Sequence, residues 1–444
     1  MLPGTAGEMM KNYYRNVFTA IITMMFMSIY TTVDGLFVAK VVSADAMAAI
    51  NVSYPIINIM FTLSFGLAAG GCVRITHAIG EGNPQEANRR FTLTIGLGIV
   101  LSVIMIAFMG SSFDACLRFL GATDKIIDYC RIYGGIALLS YPIGITKEIL
   151  VYVLRAQGMS EISMLSSVAG GIANIILDYL FIVVWQWGIT GAALATSMGM
   201  LLTLLINIFF LAKRGNLRLC KPGKKIWKEA LRISELGLTS GIFEFSYAVI
   251  TWYFNHLSLL YYRENGIVAY TVIGYVQYAL AAVFVGIGNG VSPMLSYYYG
   301  AKNKIENRRI INRTIKFTII ASAVVCVIGY WQAETLAGIF LKENTLPFML
   351  AKQGIELISF SYLFMGMNTL FSCVLNAFEH GKLSAVLTVL RTVVFLVLAA
   401  ALLTIYVGYK GMWIAFIAAE VMTLLLSILI YVHKIRTDGF SILK

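Results

Sequence analysis

Charged residues are scarce in this sequence. They account for 13% of the 444 residues, whereas hydrophobic residues account for 59%; a typical soluble domain has about a quarter charged residues. This imbalance excludes a soluble enzyme, a disordered scaffold and an ordinary nucleic-acid-binding domain. Cysteine and histidine are also rare. The six cysteines form no CxxC pair, and the four histidines are dispersed along the chain. Neither a zinc site nor a thioredoxin-like redox motif is indicated.

The hydrophobic residues lie in long runs separated by clusters of charge. A membrane-spanning helix needs about 20 mostly apolar residues, and each run is long enough. The sequence therefore predicts an all-α integral membrane protein with twelve transmembrane helices. The predicted spans are 13–40, 47–75, 88–113, 126–154, 160–185, 188–212, 231–261, 267–299, 307–331, 348–378, 383–406 and 410–433.

The positive charges are distributed unequally between the two ends of these spans. With the N-terminus in the cytoplasm, 23 of the 34 Lys and Arg residues fall in inner loops and tails, and 7 fall in outer loops. This asymmetry follows the positive-inside rule and predicts cytoplasmic N- and C-termini. The expected location is a bacterial plasma membrane. The net charge of +12 is therefore a signal of topology beside anionic lipid, and no nucleic acid partner is expected.

The two halves of the sequence resemble each other at an offset of 220 residues. Because each half has six spans, both have the same orientation, which predicts a parallel internal repeat with a substrate cavity between two lobes. The predicted division is an N-terminal lobe (1–212), a basic cytoplasmic linker (213–232) and a C-terminal lobe (233–444). The repeated glycines indicate close helix packing rather than a phosphate-binding loop. The coincident positions include Gly66, Gly70, Gly80, Asn83 and Gly188 with Gly286, Gly290, Gly300, Asn303 and Gly408.

Two carboxylates lie inside spans of the first lobe, where a charge costs about 2.5–3.5 kcal/mol and so indicates function. Asp34 is in span 1, and Asp178 in span 5 is one helical turn from Asn174 and at a similar depth to Thr196 in span 6. We predict that these four side chains form one layer that takes up a proton or binds Na⁺ through oxygen ligands. The alternative, a polar network that only holds spans 1, 5 and 6 together, is weakened by the duplication, because the equivalent positions of the second lobe are apolar. Those positions are Phe254, Val394, Leu398 and Phe416.

Other ionisable residues lie in the remaining spans. Arg391 in span 11 and Glu420 in span 12 have a similar depth, and we predict a structural ion pair between them. Glu148 in span 4 and Arg155 just after that span are seven residues apart and could pair near the inner face. Glu244 in span 7 has no obvious basic partner, so we predict that it attracts a cationic substrate. The candidate cavity residues are Glu244, Tyr30, Asn255 and Gln277.

Several segments give the chain a resemblance to the MATE (multidrug and toxic compound extrusion) family that extends over essentially the whole sequence. They are VDGLFVAKVVSADAMAAINVSYPI in spans 1–2, GLAAGGCVRITHAIGEGNPQEANRR after span 2, LRAQG after span 4, NIILD in span 5, GITGAALAT in span 6 and PMLSYYYGAKN in the second half. The resemblance implies twelve helices in two lobes and efflux of small organic cations driven by inward flow of H⁺ or Na⁺. It implies no cofactor other than this coupling ion.

Within that family, the polar layer of the first lobe resembles the cation site of the DinF-type branch. All four of its residues match, including the 22-residue spacing from Asn174 to Thr196. The NorM-type branch carries acids in spans 7 and 10. Here Glu244 is displaced by about one turn, and span 10 has no acid between Glu356 and Glu379. The segment around Glu244 and the ion pair of spans 11 and 12 resemble a MepA-like subgroup of Gram-positive bacteria.

Three classes of function compete. The leading interpretation is a monomeric secondary antiporter for organic cations. The runner-up is a flippase for lipid-linked oligosaccharides, which would have a basic central cavity and often fourteen spans. A membrane-embedded enzyme is the third, but the sequence contains no HExxH, His/Asp or Ser/Lys arrangement, so no catalytic residue is predicted. The sequence leaves open the substrate, the choice between H⁺ and Na⁺, and the stoichiometry.

Overall fold

The computed structural model describes residues 6–41, 44–221 and 226–438, and these are helical almost throughout. Long apolar runs form helices because a helix satisfies its backbone hydrogen bonds internally, as a lipid environment requires. Two of the spans contain a short π-helical segment, π1 and π2. The elements are α1 (Ala6–Val41), α2 (Ala44–Gly80), α3 (Pro84–Phe119), α4 (Ile127–Ala156), α5 (Ser160–Asp178), π1 (Tyr179–Val184), α6 (Gly188–Arg214), α7 (Ile226–Gly300), α8 (Lys304–Trp331), α9 (Ala333–Gly338), α10 (Leu346–Ser359), α11 (Tyr362–Ala377), α12 (Gly381–Val389), π2 (Leu390–Phe395), α13 (Leu396–Val407) and α14 (Tyr409–Asp438).

The helices account for the predicted number of spans. In the described part of the chain, nine helices are long and apolar enough to cross a membrane, or ten when α10 and α11, which meet at a bend of 55°, form one broken span. The 75-residue helix α7 is broken at Tyr262 and Arg263, whose backbone angles are not helical. It therefore provides two spans, residues 226–261 (α7a) and 264–300 (α7b). Counting α10 and α11 as one span gives ten, the second part of α7 gives eleven, and α1 gives twelve transmembrane helices. The predicted fold class is therefore confirmed.

Glycines bring helices of the two halves into close contact. A Cβ atom on Gly70 in α2 would lie 2.0 Å from the carbonyl oxygen of Ile233 in α7a. A Cβ atom on Gly290 in α7b would lie 2.7 Å from the carbonyl oxygen of Asn16 in α1. Both positions therefore require glycine, and the predicted close packing is confirmed. Helix α2 packs on α7a as α7b packs on α1, which is the relation expected of a parallel repeat.

The three largest clusters of buried apolar side chains in the described chain hold the helices together. The first lies among α2, α3 and α4 and includes Ile233 of α7a. The second lies among α7, α10, α13 and α14, and the third joins α1 to α7b, α8 and α11. Helices α1 and α7 therefore lie at the interface between the two halves. The end of the bundle at which α6 ends and α7 begins is termed the linker side.

The repeat also appears in the geometry of helix ends. Asn83 and Asn303 precede α3 and α8, and each side-chain oxygen accepts a hydrogen bond from the backbone N–H three residues later, at 3.0 and 3.1 Å. Each of these N-caps satisfies an N–H group that has no partner within its own helix. Gly188 and Gly408 both have positive φ, 56° and 67°. The residue boundaries of the two lobes and the linker stay predictions.

Candidate ion-coupling site and central cavity

Three members of the predicted polar layer lie together between α5 and α6. Asp178 is completely buried, and Asn174, one turn earlier on α5, is buried as well. The Asn174 Nδ2 donates to the Thr196 Oγ1 over 3.4 Å. The helices approach closely because a Cβ atom on Gly199 of α6 would lie 2.7 Å from the carbonyl oxygen of Gly170 of α5. A carboxylate, an amide and a hydroxyl are thus held between packed helices.

The fourth member, Asp34, lies in α1, and its side chain is not among those that the structure describes. The contact between Tyr30 and Gly171 shows which parts of α1 and α5 lie at the same depth. A Cβ atom on Gly171 would lie 3.2 Å from the Tyr30 Cδ1. Both helices form odd-numbered spans and run in the same direction. Four residues further along each helix, position 34 therefore comes to the level of residues 174–178. A contact between Asp34 and the other three residues stays a prediction.

The oxygen atoms of this layer suit a proton or a monovalent cation. The described members offer one carboxylate, one amide and one hydroxyl. Among the residues whose placement is described, no group of three or more His, Cys, Asp or Glu side chains could hold a metal ion. Na⁺ binding through Asp34, Asn174, Asp178 and Thr196 stays a prediction.

The second half fills part of the equivalent region with aromatic rings. Phe254 and Phe416, which the 220-residue offset equates with the span 1 and span 6 positions of the layer, are buried with ring centroids 5.0 Å apart. The offset fails in span 11, because Leu398, the expected equivalent of the buried Asp178, is 54% exposed. A π-helical turn holds an extra residue and rotates the side chains that follow it, and π2 precedes Leu398. The structure therefore does not support the predicted equivalence of Leu398 and Asp178.

A cavity lies between the two halves. Its walls, formed by α1, α2, α4, α7, α11, α12 and π2, border about 1300 Å³ of space free of protein atoms, part of it open to solvent. Arg391 is the one charged side chain among the described residues of the lining. Asn174, Asp178 and Thr196, the members of the polar layer whose side chains the structure describes, are not in this lining, so this part of the layer is separate from the cavity. Several lining residues are related by the repeat: Phe65 and Val285, Ala69 and Asn289, Cys72 and Ser292, and, at an offset of 221, Tyr152 and Cys373.

Of the four predicted cavity residues, the three whose side chains the structure describes are not in this lining. Tyr30, Asn255 and Gln277 are described, and all three lie outside the cavity wall. Tyr278, the residue after Gln277, does line the cavity. Consecutive side chains of a helix point about 100° apart, so Gln277 faces a different direction. The side chain of Glu244 is outside the described residues, so its role stays a prediction.

Arg391 and Glu420 form a buried ion pair between π2 and α14. The Arg391 Nε donates to both carboxylate oxygens of Glu420, over 2.9 and 3.1 Å. Asn368 of α11 donates to the same carboxylate over 2.6 Å, and the Arg391 Nη1 donates to the Thr369 Oγ1 over 3.1 Å. Both charges are therefore hydrogen-bonded as well as paired, which burial of an ion pair requires. A structural role for the pair stays a prediction, and its position in the cavity wall was not expected from the sequence.

The predicted pairing of Glu148 with Arg155 is wrong. The Glu148 carboxylate accepts a hydrogen bond from the Nζ of Lys147 over 2.6 Å. The two residues are adjacent and start about 100° apart on the helix, but the flexible four-carbon stem of lysine reaches across. Neither Nη atom of Arg155 has a hydrogen-bond partner in the described part of the chain.

An ion network that the sequence did not predict closes the linker side. Arg74 of α2 makes a bidentate contact with Glu229 at the start of α7, over 2.6 and 2.9 Å, and also contacts Glu379 in the turn between α11 and α12. His77 Nδ1 lies 3.0 Å from the Glu379 Oε1. These contacts join helices of the two halves. The residues of this linker-side network are Arg74, His77, Arg90, Glu229, Arg232 and Glu379.

Glu379 is the acid most strongly held by this network. Burial alone would raise the pKa of its carboxyl, but the adjacent His77 imidazole and the charge of Arg74 outweigh burial and lower the pKa to about 2. The carboxylate is therefore ionised at any physiological pH. Two sequence features marked this region: an arginine inside an apolar span and an acid in the turn that follows a span, but nothing in the sequence showed that they meet.

A known protein family matches both halves of the chain. The profile of the family described as MatE matches residues 19–180 and 236–401, once in each half of the chain. The chain belongs to the MatE family. The resemblance found in the sequence motifs is thereby confirmed.

Relatives and solved structures of this family match nearly the full length. The multidrug export protein MepA of Staphylococcus saprophyticus is 24% identical, over 94% of this chain and 93% of that protein. MepA of Staphylococcus aureus strain MRSA252 is 25% identical, over 92% and 90%. An outward-facing multidrug resistance MATE family transporter of the MOP superfamily has a TM-score of 0.90 at 22% identity and covers 96% of each chain. A MATE structure in a bent conformation has a TM-score of 0.87 at 21% identity, over 98% and 97%. These structures support the fold.

Proposed function

We propose that this chain is a secondary active transporter that exports organic cations across a bacterial plasma membrane in exchange for H⁺ or Na⁺. The observation that carries the proposal is a fully buried carboxylate, Asp178, next to the hydrogen-bonded Asn174 and Thr196 within membrane-spanning helices and apart from the central cavity. A buried ionisable group in a span is a functional site by default. Full-length similarity to proteins named for multidrug export supports the same function.

The separation of the two sites suggests how they are coupled. Neutralising Asp178 with a proton or Na⁺ removes the need of the carboxylate for a polar environment. Helices α1, α5 and α6 can then pack differently, and α1 also lines the cavity through Met24 and Met27. Ion binding in the layer would thereby narrow the cavity and displace the substrate. Binding of ion and substrate must oppose each other reciprocally.

The linker-side network supports alternating access. It holds the two halves together at one end of the cavity, and α2 and α7b also meet there at Gly80 and Gly300. We assign this end to the cytoplasm from the Lys and Arg distribution. The network must open when the cavity faces the cytoplasm, and neutralisation of the polar layer favours that change.

Glu244 remains our candidate for attraction of the substrate cation. At the repeat offset it corresponds to Met24, which lines the cavity. Its neighbour Phe243 lines the cavity as well. The walls are otherwise largely apolar and aromatic, which suits flat lipophilic cations.

A flippase for lipid-linked oligosaccharides is the second candidate. The presence of Arg391 in the cavity wall favours it, because a pyrophosphate group needs basic partners. Glu420 already neutralises that arginine, however, and Arg391 is the one charge in the described lining. The antiporter therefore accounts for more of the structure.

Transport of a fluorescent organic cation by purified protein in proteoliposomes tests the proposal. Vesicles loaded with dye are given an inward H⁺ gradient, an inward Na⁺ gradient or neither. The proposal predicts dye efflux with one of the two gradients and none without a gradient or without protein. Equal efflux under all three conditions would show that export is not coupled to either ion.

A further inference from the structure

Every buried residue of α5 is polar or a glycine. These residues follow one another at helical spacing from the linker-side end of the helix to the polar layer. They are Ser160, Ser163, Ser166, Gly170, Gly171, Asn174 and Asp178. A buried polar face therefore runs along the whole of α5, from the layer to the linker side.

The second half does not repeat this polar face. Ser163 and Ser384, 221 residues apart, each donate to a backbone carbonyl oxygen of the preceding helix, over 2.9 and 2.8 Å. At the same offset Ser166 corresponds to Leu387, which is buried and apolar. The second half thus forms the equivalent helix contact without a continuous polar face, so the fold does not require one.

Asn207 of α6 is a buried amide without a protein partner. The side chain is completely buried, and neither its Oδ1 nor its Nδ2 has a hydrogen-bond partner in the part of the chain that the structure describes. Buried polar groups are nearly always hydrogen-bonded. Both ends of this amide are therefore available to a small polar ligand.

Asn207 lies on the face of α6 that packs against the polar face of α5. Thr203, one turn earlier, donates to the carbonyl oxygen of Ser166 over 3.2 Å, and a Cβ atom on Gly170 would collide with the Thr203 hydroxyl. Residues four apart share a helix face, so Asn207 faces α5 one turn nearer the linker side. Because the two helices run antiparallel, the residue of α5 at that level is Ser163.

The same two helices are still in contact beyond Asn207. The backbone N–H of Asn216, just after α6, donates to the Oε1 of Gln157, just before α5, over 2.7 Å. Asn207 is therefore enclosed between two levels at which these segments touch. It lies about 16 Å from Thr196 along α6, at 1.5 Å per residue.

The hydroxyl groups near Asn207 direct their protons to backbone carbonyl oxygens. Thr203 donates to Ser166, Ser166 donates to Ser163 over 3.0 Å, and Ser163 donates to Val151 over 2.9 Å. Each hydroxyl oxygen keeps lone pairs that can bind a cation or accept from a water molecule. These side chains are neutral, so together they offer a cation several oxygen atoms but no countercharge.

We propose that Asn207, Thr203 and Ser163 form an inner site that binds the coupling ion, together with water, between the polar layer and the linker side. The described lining of the central cavity contains none of these three residues, so the ion would leave through the first lobe rather than through the cavity. A neutral site suits transit, because a passing ion must bind well enough to enter and weakly enough to leave. A proton would pass as hydronium, and Na⁺ with part of its water shell. This inference rests on the proposed function.

Two substitutions test the inner site while leaving the polar layer intact. Asn207→Leu keeps the approximate size of the side chain and removes its amide, and Thr203→Val keeps the shape and removes the hydroxyl. Each should slow gradient-driven efflux of rhodamine 6G from proteoliposomes by about tenfold, as expected when a passing ion loses one hydrogen-bonding partner. Equilibrium binding of the dye in nanodiscs, and its displacement by the coupling ion, should not change. Asn207→Ser, which keeps a polar oxygen and leaves room for water, should retain most of the wild-type rate.

The repeat supplies a matched control for the hydroxyl. Thr423 of α14 corresponds to Thr203, is 2% exposed and donates to the carbonyl oxygen of Ala419 over 2.7 Å. Thr423→Val makes the same change in the second lobe and should leave the efflux rate unchanged. The two valine variants decide the question if Asn207→Leu does not fold.

Two results would overturn the inner site while leaving the proposed export of cations intact. One is an efflux rate for Thr203→Val that equals the rate of Thr423→Val. The other is loss of ion-dependent dye displacement in Thr203→Val, because that displacement needs only the polar layer and the cavity. Absence of efflux by the wild type under both the H⁺ and the Na⁺ gradient would instead contradict the proposed function, and this inference with it.

Discussion

Neutralising Glu379 should weaken the contact that closes the linker side. Its carboxylate contacts Arg74 and lies 3.0 Å from the His77 Nδ1, and its carbonyl oxygen accepts a hydrogen bond from Arg232 over 2.9 Å. Glutamine at this position keeps the size and one acceptor oxygen but removes the charge. The backbone contact with Arg232 is retained. The Glu379→Gln variant should therefore open on this side more often without losing its fold.

The shift in the pKa of Glu379 gives the size of the effect. The pKa falls from its ordinary value of 4.5 to about 2, which corresponds to about 3 kcal/mol in favour of the ionised carboxylate in the closed arrangement. Because the pKa is lowered, this stabilisation is fully present above pH 4.5 and is lost as the pH falls toward 2. It therefore acts in full at neutral pH. Removing it should shift the equilibrium between closed and open states by up to about a hundredfold.

Cys373 provides a native reporter for this opening, because it lines the cavity. The other five of the six cysteines are replaced by serine, and inside-out vesicles are treated with a membrane-impermeant maleimide. Labelling of Cys373 should be faster in Glu379→Gln than in the parent. Glu235→Gln is the matched control, since Glu235 contacts Arg232 of its own helix over 3.1 Å and does not bridge the halves. Unchanged labelling in Glu379→Gln, or an equal rise in both variants, would refute the role of the network.

Two further predictions concern the ion pair and the topology. Arg391→Gln or Glu420→Gln alone should destabilise the protein by about 3–5 kcal/mol, because each leaves a buried charge without its partner; the double variant should recover much of the loss in thermal unfolding. Normal folding of both single variants with loss of transport would assign the pair to function instead. A single cysteine at Asn303 should be labelled only from the cytoplasm and one at Lys342 only from outside. Labelling of position 303 from outside would reverse the proposed orientation.

The sequence was most informative about features that depend on a single helix or on the 220-residue repeat. Span positions follow from apolar run length, and the close packing at Gly70 and Gly290 follows from their repetition. The proximity of Arg391 to Glu420 followed from a comparison of depth within two neighbouring spans. Each of these inferences depends only on the rise and period of a helix.

Features that depend on exact side-chain direction were not predictable in the same way. The π-helical segment π2 rotates the residues that follow it, so a constant offset assigned Leu398 to the wrong face. One position along a helix separated Gln277 from the cavity that Tyr278 lines. The contact of Arg74 with Glu379 joins residues 305 positions apart, and it exists only because the two halves meet at the linker side.

The central claim is that Asp178 and Asp34 couple ion entry to export, and gradient-driven dye efflux by their variants in proteoliposomes tests it most directly. Asparagine resembles the neutral form of the acid, so Asp178→Asn should fold and bind dye but lose its response to the H⁺ or Na⁺ gradient. Asp34→Asn should behave in the same way, and the double variant should be little worse than either. Glu356→Gln, an acid of span 10 outside the layer, should keep wild-type efflux. Wild-type rates of gradient-driven efflux in both Asp178→Asn and Asp34→Asn would contradict the account.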